Sequence, residues 1–248
     1  MVNFFNTFFY NPVYNGLVFL LSTFSWMDLG VAVIFLTIII RLILLPLAKK
    51  SIQTQISVKK IEPKLNEIKE RLKDDKEKQA REIMDLYRNE KINPFSSFFL
   101  VLIQIPVLLS LYFVLLKGGL PEINSDILYS FVNIPENIKM SFLGLVDITK
   151  GNLLLAFLTG LSQYFQIKLM SVDLFKNKKS DGSFKGDLMK SMQFQMQFVM
   201  PIIIFFISYT LPSVIALYWT TSNIFMMAQE ILIKRRMLVS EDNQINHG

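Results

Sequence analysis

The chain has 248 residues, of which 52% are hydrophobic and 22 are phenylalanine, and its mean hydropathy is +0.39. A soluble domain of this length needs less apolar material to fill its core, so we expect an integral membrane protein. The formal charge of +6 fits a membrane surface or a nucleic acid, and the absence of cysteine excludes disulfides and cysteine-ligated metals.

The amino-terminal residues 1–28 are rich in Phe, Asn and Tyr, and their apolar stretch at 17–21 is too short to cross a bilayer. We expect them to form an amphipathic interfacial segment that lies flat on the outer surface. No basic residue precedes Arg41, so this segment does not resemble a secretory signal or a transit peptide. Residues 29–47 are predicted to be the first transmembrane helix, ending near Pro46.

Arg41 is the only charged residue within 29–47. An ionisable group at such a depth is costly, and it usually faces a cavity, a partner or a substrate path. Arg41 also lies only about 9 Å from the inner end of this helix at a rise of ~1.5 Å per residue. Its side chain could therefore simply extend to the interface beside Lys49 and Lys50, and depth alone leaves both interpretations open.

Residues 48–93 form a charged segment with thirteen Lys and Arg and nine Asp and Glu. Apolar residues recur at helical spacing on both sides of the polar turn at 73–75, which predicts a hairpin of two amphipathic helices. Asp74 or Asp75 is expected to cap the second helix, and Pro63 to kink or restart the first.

The rest of the chain predicts four further transmembrane helices. The apolar run from 192 to 233 is about twice as long as one crossing requires, so it must turn, and the corner is expected at 211–213. The expected segments are a second transmembrane helix at 94–117, an extracytoplasmic loop at 118–151, a third helix at 152–170, a cytoplasmic loop at 171–191, a fourth helix at 192–211, a fifth at 212–233 and a cytoplasmic tail at 234–248.

Basic residues alternate between the two sides of this arrangement. The segment 48–93, the loop 171–191 and the tail carry thirteen, five and three Lys and Arg, whereas the loop 118–151 carries two. The positive-inside rule then places the amino terminus outside and the carboxyl terminus inside. The predicted fold is thus an all-α integral membrane protein with five transmembrane helices and a cytoplasmic two-helix hairpin.

The polar residues argue against catalysis. The only histidine is His247, near the end of the chain, and no pair of acidic residues lies within the predicted spans. Neither a Ser-His dyad nor an aspartyl-type site is therefore expected in the membrane. The sequence also lacks a metal-ligand cluster and a Gly-rich phosphate loop. We expect a protein that is not an enzyme and that uses no metal and no cofactor.

The predicted spans instead contain many neutral polar residues around Arg41. Helix-to-helix hydrogen bonds can account for a part of them. Together they are numerous enough to suggest a wet cavity, open to one leaflet, that would also solvate Arg41. These residues are Thr37, Gln104, Ser110, Thr159, Gln163, Gln166, Ser208, Thr210, Trp219, Thr220, Thr221, Ser222, Asn223 and Gln229.

The order of parts resembles a known family. The matching segments are TIIIRLILLPL at 37–47, ERLKDDKEK at 70–78, NPFSSFFLVLIQIPVLLSLYFVL at 93–115 and LPSVIALYWTTSNIFMMAQEILI at 211–233. On these motifs the chain is identified as similar to the YidC-type insertases of the YidC/Oxa/Alb superfamily, over about residues 27–236.

The resemblance implies five helices around a hydrophilic groove that is open to the cytoplasm and to lipid. It implies an insertase and chaperone that places single- or double-spanning proteins in the bacterial plasma (inner) membrane without nucleotide hydrolysis. The family's groove arginine falls on Arg41. Gln104, Gln166, Trp219 and Asn223 fall on polar or aromatic groove positions, for which interhelical hydrogen bonding is the open alternative. The segment 48–93 resembles the family's mobile client-recruiting hairpin.

The implied partners are nascent membrane proteins and the lipid bilayer, and DNA is not among them. Contact with a Sec translocon or a ribosome stays open, because the tail after Arg236 is short and nearly neutral and the long basic tail of mitochondrial members is missing. The hypothesis is that Arg41 attracts the acidic outer segment of a client into the groove. A small-solute channel or transporter, and an assembly chaperone that needs a further component, are the alternatives.

Overall fold

The computed structural model describes residues 2–93, 96–116, 120–175 and 194–246. Most of the predicted loop 171–191 lies outside these residues, as do the first residues of the predicted second span and His247. The chain forms two compact units, Met1–Ile43 with Gln104–Ala228, and Leu44–Ile103 with Gln229–Gly248.

The structure is mostly helical. The helices, in chain order, are α1 Val2–Phe5, a π-helical turn Asn6–Tyr10, α2 Asn11–Thr23, α3 Leu29–Ile43, α4 Leu45–Lys60, α5 Glu62–Arg71, α6 Lys76–Asn89, α7 Ser96–Leu116, a 3₁₀ turn Ser125–Ile127, α8 Leu153–Phe175, a π-helical turn Gln195–Val199, α9 Met200–Thr210 and α10 Ser213–Asn246. Two short strands, β1 Ser141–Phe142 and β2 Val146–Asp147, pair antiparallel within the segment predicted to be an extracytoplasmic loop. The description of the fold as all-α therefore needs this small correction.

The first unit has an apolar core in which α2 takes part. Tyr14, Leu17, Leu29 and Val33 are fully or almost fully buried, together with Leu111 of α7. Gly16 allows α2 to approach α3 closely, because a Cβ atom there would lie 2.8 Å from Leu36 Cδ1. The amino-terminal segment, expected to lie flat at a surface, thus contributes buried side chains to the core.

Loop residues 120–151 are tied to the ends of several helices of this unit. Asn15 of α2 donates from Nδ2 to Ile127 O (2.8 Å) and accepts at Oδ1 from Tyr129 N (2.6 Å). The hydroxyl of Tyr14 accepts from Asn124 N (2.9 Å). Ser213, at the start of α10, donates from its backbone N to Lys150 O (2.9 Å). Partly buried hydrogen bonds to α2 and α10 therefore hold this loop in place.

Proline explains two of the helix boundaries. α3 ends at Ile43, earlier than the end predicted at 47, and Pro46 lies in the first turn of α4. Proline suits that position, because the first turn of a helix leaves its N–H groups unpaired in any case. The break between α9 and α10 falls at Leu211 and Pro212, where the sequence predicts the corner.

The second unit contains α4, α5 and α6. Pro63 lies in the first turn of α5, so it restarts the helix there. Asp75 is the residue that caps α6, because its side chain accepts from Lys78 N at 2.9 Å. Gln79 of α6 donates from Nε2 to Lys69 O (2.8 Å), near the carboxyl end of α5. The side chain of Gln79 thereby satisfies a carbonyl that the end of a helix leaves unpaired.

Length and hydropathy identify a limited number of spanning candidates. Among the described residues, only Leu153–Met170 qualifies alone, and Leu29–Ile43 with Leu45–Lys60 qualifies when taken as one bent span. Leu102–Leu115 and Gln195–Thr210 are apolar but shorter. Length and hydropathy of the described helices thus do not by themselves establish the five transmembrane helices predicted from the sequence.

Candidate functional site

Arg41 lies in the last turn of α3 and is 6% exposed. Its Nη2 donates to Gln104 Oε1 of α7 at 2.9 Å, and its Nε donates to Ser222 Oγ of α10 at 3.2 Å. Within the described part of the chain, both hydrogen-bond acceptors are neutral, and no carboxylate forms an ion pair with this guanidinium. Three helices thus converge on a buried cation that has no counter-charge in the described part of the chain.

Gln104 lies close to a proline inside α7, where the backbone hydrogen-bond pattern of the helix is broken. Pro106, two residues further on, has no N–H, so the carbonyl of Leu102 loses the donor that an ordinary residue would supply. Ser110 Oγ donates to Pro106 O at 2.8 Å and so uses a second carbonyl of this region. The side chain of Gln104 therefore lies in a part of α7 where the backbone ladder is interrupted.

A second polar group connects α10 to α8. Asn223 is fully buried, and its Nδ2 donates to Ser162 Oγ and to Gln163 Oε1, each at 3.1 Å. Gln163 Nε2 donates in turn to Gln166 Oε1 at 3.1 Å. Asn223 Oδ1 is buried and has no hydrogen-bond partner among the described residues. This carbonyl oxygen can accept one further donor, such as a water or a backbone N–H.

A threonine pair lies one turn away on the same two helices. Thr159 Oγ1 and Thr220 Oγ1 are 2.9 Å apart. The acceptors near the Thr159 hydroxyl are Leu155 O at 2.8 Å and Ala216 O at 3.2 Å. Thr220 and Asn223 are three residues apart, so they share one face of α10. Polar contacts therefore continue along the line where α8 and α10 meet.

The structure joins four of the five predicted site residues through hydrogen bonds in two polar groups, and it places the fifth, Trp219, beside the apolar core. Arg41 and Gln104 are in direct contact, and Asn223 reaches Gln166 through Gln163. Ser222 and Asn223 are neighbours in the chain and connect the two polar groups. Trp219 is half-buried: part of it packs against the apolar core, and part of it stays accessible.

Sequence reasoning missed one member of the network and gave no priority to another. Ser162 accepts from Asn223, and the sequence gives no signal for it although it directly precedes Gln163. Ser222 belongs to the large set of neutral polar residues in the predicted spans, and the structure places it against Arg41. Hydroxyl groups are frequent between packed helices, so neither residue has a distinctive signal of its own.

The side chains at this site are suited to binding a polar group and not to catalysing a reaction. The side chains that meet here supply amide, hydroxyl and guanidinium groups, and they include no acid–base pair. Among the described residues, no group of three or more His, Cys, Asp or Glu could hold a metal ion. The arrangement can solvate or attract a polar, preferably anionic, segment inside an apolar bundle.

Comparison with known proteins identifies the family. The family model described as "60Kd inner membrane protein" matches residues 20–241. The "Membrane protein insertase YidC" of Clostridium tetani is 35% identical over 206 residues, covering 83% of this chain and 81% of that protein. The protein of the same name from Fusobacterium nucleatum is 31% identical over 229 residues, covering 92% and 97% of the two chains.

A solved structure agrees in fold. The chain matches "Active YidC insertase crystal structure with the first transmembrane domain resolved" with a TM-score of 0.56 and 24% identity, over 88% of this chain and 45% of that one. Together these matches show that the chain belongs to the 60Kd inner membrane protein family. Its relatives in that family carry the name YidC membrane protein insertase, and the family description agrees with the membrane location expected from composition.

Proposed function

We propose that this protein is a membrane protein insertase and chaperone that inserts single- or double-spanning proteins without nucleotide hydrolysis. Relatives named as YidC insertases, one of which aligns over nearly its whole length, support this activity. The observation that carries the proposal within this chain is Arg41, a buried cation whose hydrogen-bond acceptors among the described residues are the neutral oxygens of Gln104 and Ser222.

The proposed architecture has five transmembrane helices, namely 29–47, 94–117, 152–170, 192–211 and 212–233, with the amino terminus outside and the carboxyl terminus inside. The difference in basic residues between the loop 118–151 and the segments 48–93, 171–191 and 234–248 supports this orientation. We further propose that Arg41, Gln104, Gln166, Trp219 and Asn223 line a water-filled groove that is open to the cytoplasm and to lipid.

An uncompensated guanidinium supports a role in client capture. Two unit charges 4 Å apart attract by about 4 kcal/mol at an effective dielectric constant of 20, compared with about 1 kcal/mol in bulk water. A client's acidic outer segment would therefore gain attraction on entering a partly dehydrated groove. The segment would lose less solvation there than it would in lipid, because the groove supplies polar groups part of the way across.

The apolar segment of the client supplies the driving force. Each CH₂ group that leaves water contributes about 0.8 kcal/mol, so partition of about 20 apolar residues into lipid is strongly favourable. The proposed task of the protein is to lower the barrier for the short polar segment that must cross first. On this account no nucleotide is needed.

The test is insertion by the purified protein alone. A single-spanning client with an acidic outer terminus is offered to liposomes that hold only this protein, and inserted client is scored by protease protection. We expect clear protection above that of empty liposomes. Absence of insertion by protein that is shown to be folded would contradict an autonomous insertase and favour a chaperone that needs another component.

A further inference from the structure

The turn between β1 and β2 exposes two leucines. Leu143 is 63% exposed and Leu145 is 86% exposed. Leu143 and Gly144 have φ angles of 53° and 69°, which is the pattern of the tight turns that join paired strands. Exposed leucines at a tight turn, where polar residues are usual, are typical of a surface that contacts lipid or another apolar partner.

The lack of charge around this turn excludes electrostatic attraction to anionic lipid as the way in which the turn binds a partner. Residues 140–146 carry no charge, and the whole loop 120–151 contains four acidic and two basic residues. Anionic lipid headgroups attract clusters of Lys and Arg, and such a cluster is missing from this loop. The partner that contacts these leucines is therefore expected to be apolar.

The turn is fixed to the outer end of α3 by three contacts. Asp28 Oδ2 accepts from Leu143 N at 2.6 Å, and Leu29 N donates to Lys139 O at 3.0 Å. Phe142 packs against Gly30, where a Cβ atom would lie 2.7 Å from the Cβ atom of Phe142. The turn consequently lies at the level where α3 begins, which on the proposed orientation is the outer edge of the membrane.

Exposed aromatic side chains lie just before α3 and within its first two turns. Trp26 is 63% exposed, and its ring lies 6.5 Å from that of Phe35 on α3 and 6.4 Å from that of Phe24. Tryptophan is enriched where a membrane protein passes from lipid to water. The exposed aromatic residues and the exposed leucines are thus both attached to one short part of the molecule.

We propose that the Leu143–Gly144–Leu145 turn inserts into the outer leaflet and anchors the loop 120–151 at the lipid interface. This inference rests on the proposed orientation of α3 and not on the insertase activity. The chemistry recognised is the apolar region just below the headgroups, and anionic lipid is not required.

The test is depth-dependent fluorescence quenching. The chain has two tryptophans, so Trp26→Phe with Trp219→Phe gives a background without them. A single tryptophan is then placed at the turn by Leu145→Trp. Glu136→Trp, at an exposed position of the same loop, is the water-facing control, and Phe35→Trp, on the exposed face of α3, is the lipid-facing control. Each protein is reconstituted in phosphatidylcholine vesicles, with or without 30% phosphatidylglycerol added.

We expect Leu145→Trp to be quenched by brominated acyl chains and protected from iodide about as well as Phe35→Trp, equally in both vesicles. Quenching by iodide to the level of Glu136→Trp, with no effect of brominated lipid, would overturn the proposal. Protection from both quenchers would also overturn it, because it would indicate a protein cover such as a second copy. Loss of lipid quenching at Phe35→Trp as well would show that α3 does not cross the membrane, and it would overturn the proposal with it.

Discussion

Arg41 has hydrogen-bond acceptors but no counter-charge within the described residues. A hydrogen bond that involves a charged group contributes about 1.5–3 kcal/mol, whereas burying an ion costs several kcal/mol even after relaxation. The oxygens of Gln104 and Ser222 accept from two of the five N–H groups of this guanidinium, so they offset a part of that cost. Water or a client carboxylate can supply the remainder, which connects the local energetics to the proposed function.

Two substitutions at Gln104 distinguish the effect of the Arg41 charge on insertion from the effect of its hydrogen bonds on stability. Gln104→Glu places a carboxylate beside the guanidinium, so we expect insertion of acidic clients to fall about tenfold, about 1.4 kcal/mol, because the charge is already neutralised. Gln104→Leu removes one acceptor and leaves the charge. It should lower the free energy of unfolding by about 1–3 kcal/mol while largely preserving insertion.

The measurements for this pair are client insertion into proteoliposomes and thermal unfolding in detergent. Equal insertion by Gln104→Glu and Gln104→Leu would show that the unpaired charge of Arg41 has no part in client capture. The two variants alter the same side chain, so each serves as the control for the other.

At the scale of elements, α3 and the β-hairpin depend on each other. Asp28 Oδ1 accepts from Val31 N at 2.8 Å and caps α3, while its other oxygen holds Leu143 N. Gly30 leaves room for Phe142. One carboxylate and one glycine thus connect the start of a helix with a turn more than 110 residues further along the chain.

A double-mutant cycle tests this connection. Alanine is favoured over glycine in a helix by about 1 kcal/mol, yet Gly30→Ala would bring a Cβ to 2.7 Å from two atoms of Phe142. We expect Gly30→Ala to lower the melting temperature in the wild-type background. In the Phe142→Ala background the same change should be neutral or stabilising. Additive effects of the two substitutions would contradict the contact.

Local sequence signals predict some of these elements and not others. The restart at Pro63, the cap at Asp75 and the corner at Leu211 and Pro212 follow from residues whose preferences act within a few positions. The β-hairpin depends on Asp28 and Gly30, which are distant in sequence, so composition gave no sign of it. The continuation of α10 to Asn246 reflects a stretch without proline or glycine, where charge alone suggested a tail.

The same contrast applies to the candidate site. Arg41 is recognisable from sequence because a single charge interrupts an apolar run. The family resemblance directs attention to Gln104, and the structure places its amide against the guanidinium. Ser162 and Ser222 could not be distinguished from ordinary interhelical hydroxyls, because their roles depend on which helices meet. The position of Trp219 beside the apolar core has the same origin.

At the scale of the whole molecule, the proposed topology makes a prediction that the lack of cysteine renders easy to test. Single cysteines introduced at Glu136 in the loop 118–151, at Lys76 in the charged segment and at Arg236 in the tail are all at exposed positions. We expect a membrane-impermeant maleimide added to intact spheroplasts to label Glu136→Cys alone. Lys76→Cys and Arg236→Cys should react only after the membrane is opened.

Other labelling patterns would revise the account in specific ways. Reaction of Lys76→Cys from outside would reverse the orientation that the distribution of basic residues predicts. Opposite behaviour of Lys76→Cys and Arg236→Cys would mean an odd number of crossings between them, which is incompatible with five spans in the chain.

The central claim, that the charge of Arg41 recognises acidic client segments, is tested most directly by exchanging charges on both molecules. Two clients that differ only in acidic or amide residues at the outer terminus are inserted by wild type, Arg41→Ala and Arg41→Lys. Thr37→Ala, at a buried position one turn earlier on α3, is the matched control. We expect Arg41→Ala to reduce insertion of the acidic client about tenfold and of the amide client less than twofold, with Arg41→Lys retaining most activity. Equal insertion of the acidic client by wild type and Arg41→Ala would contradict the account.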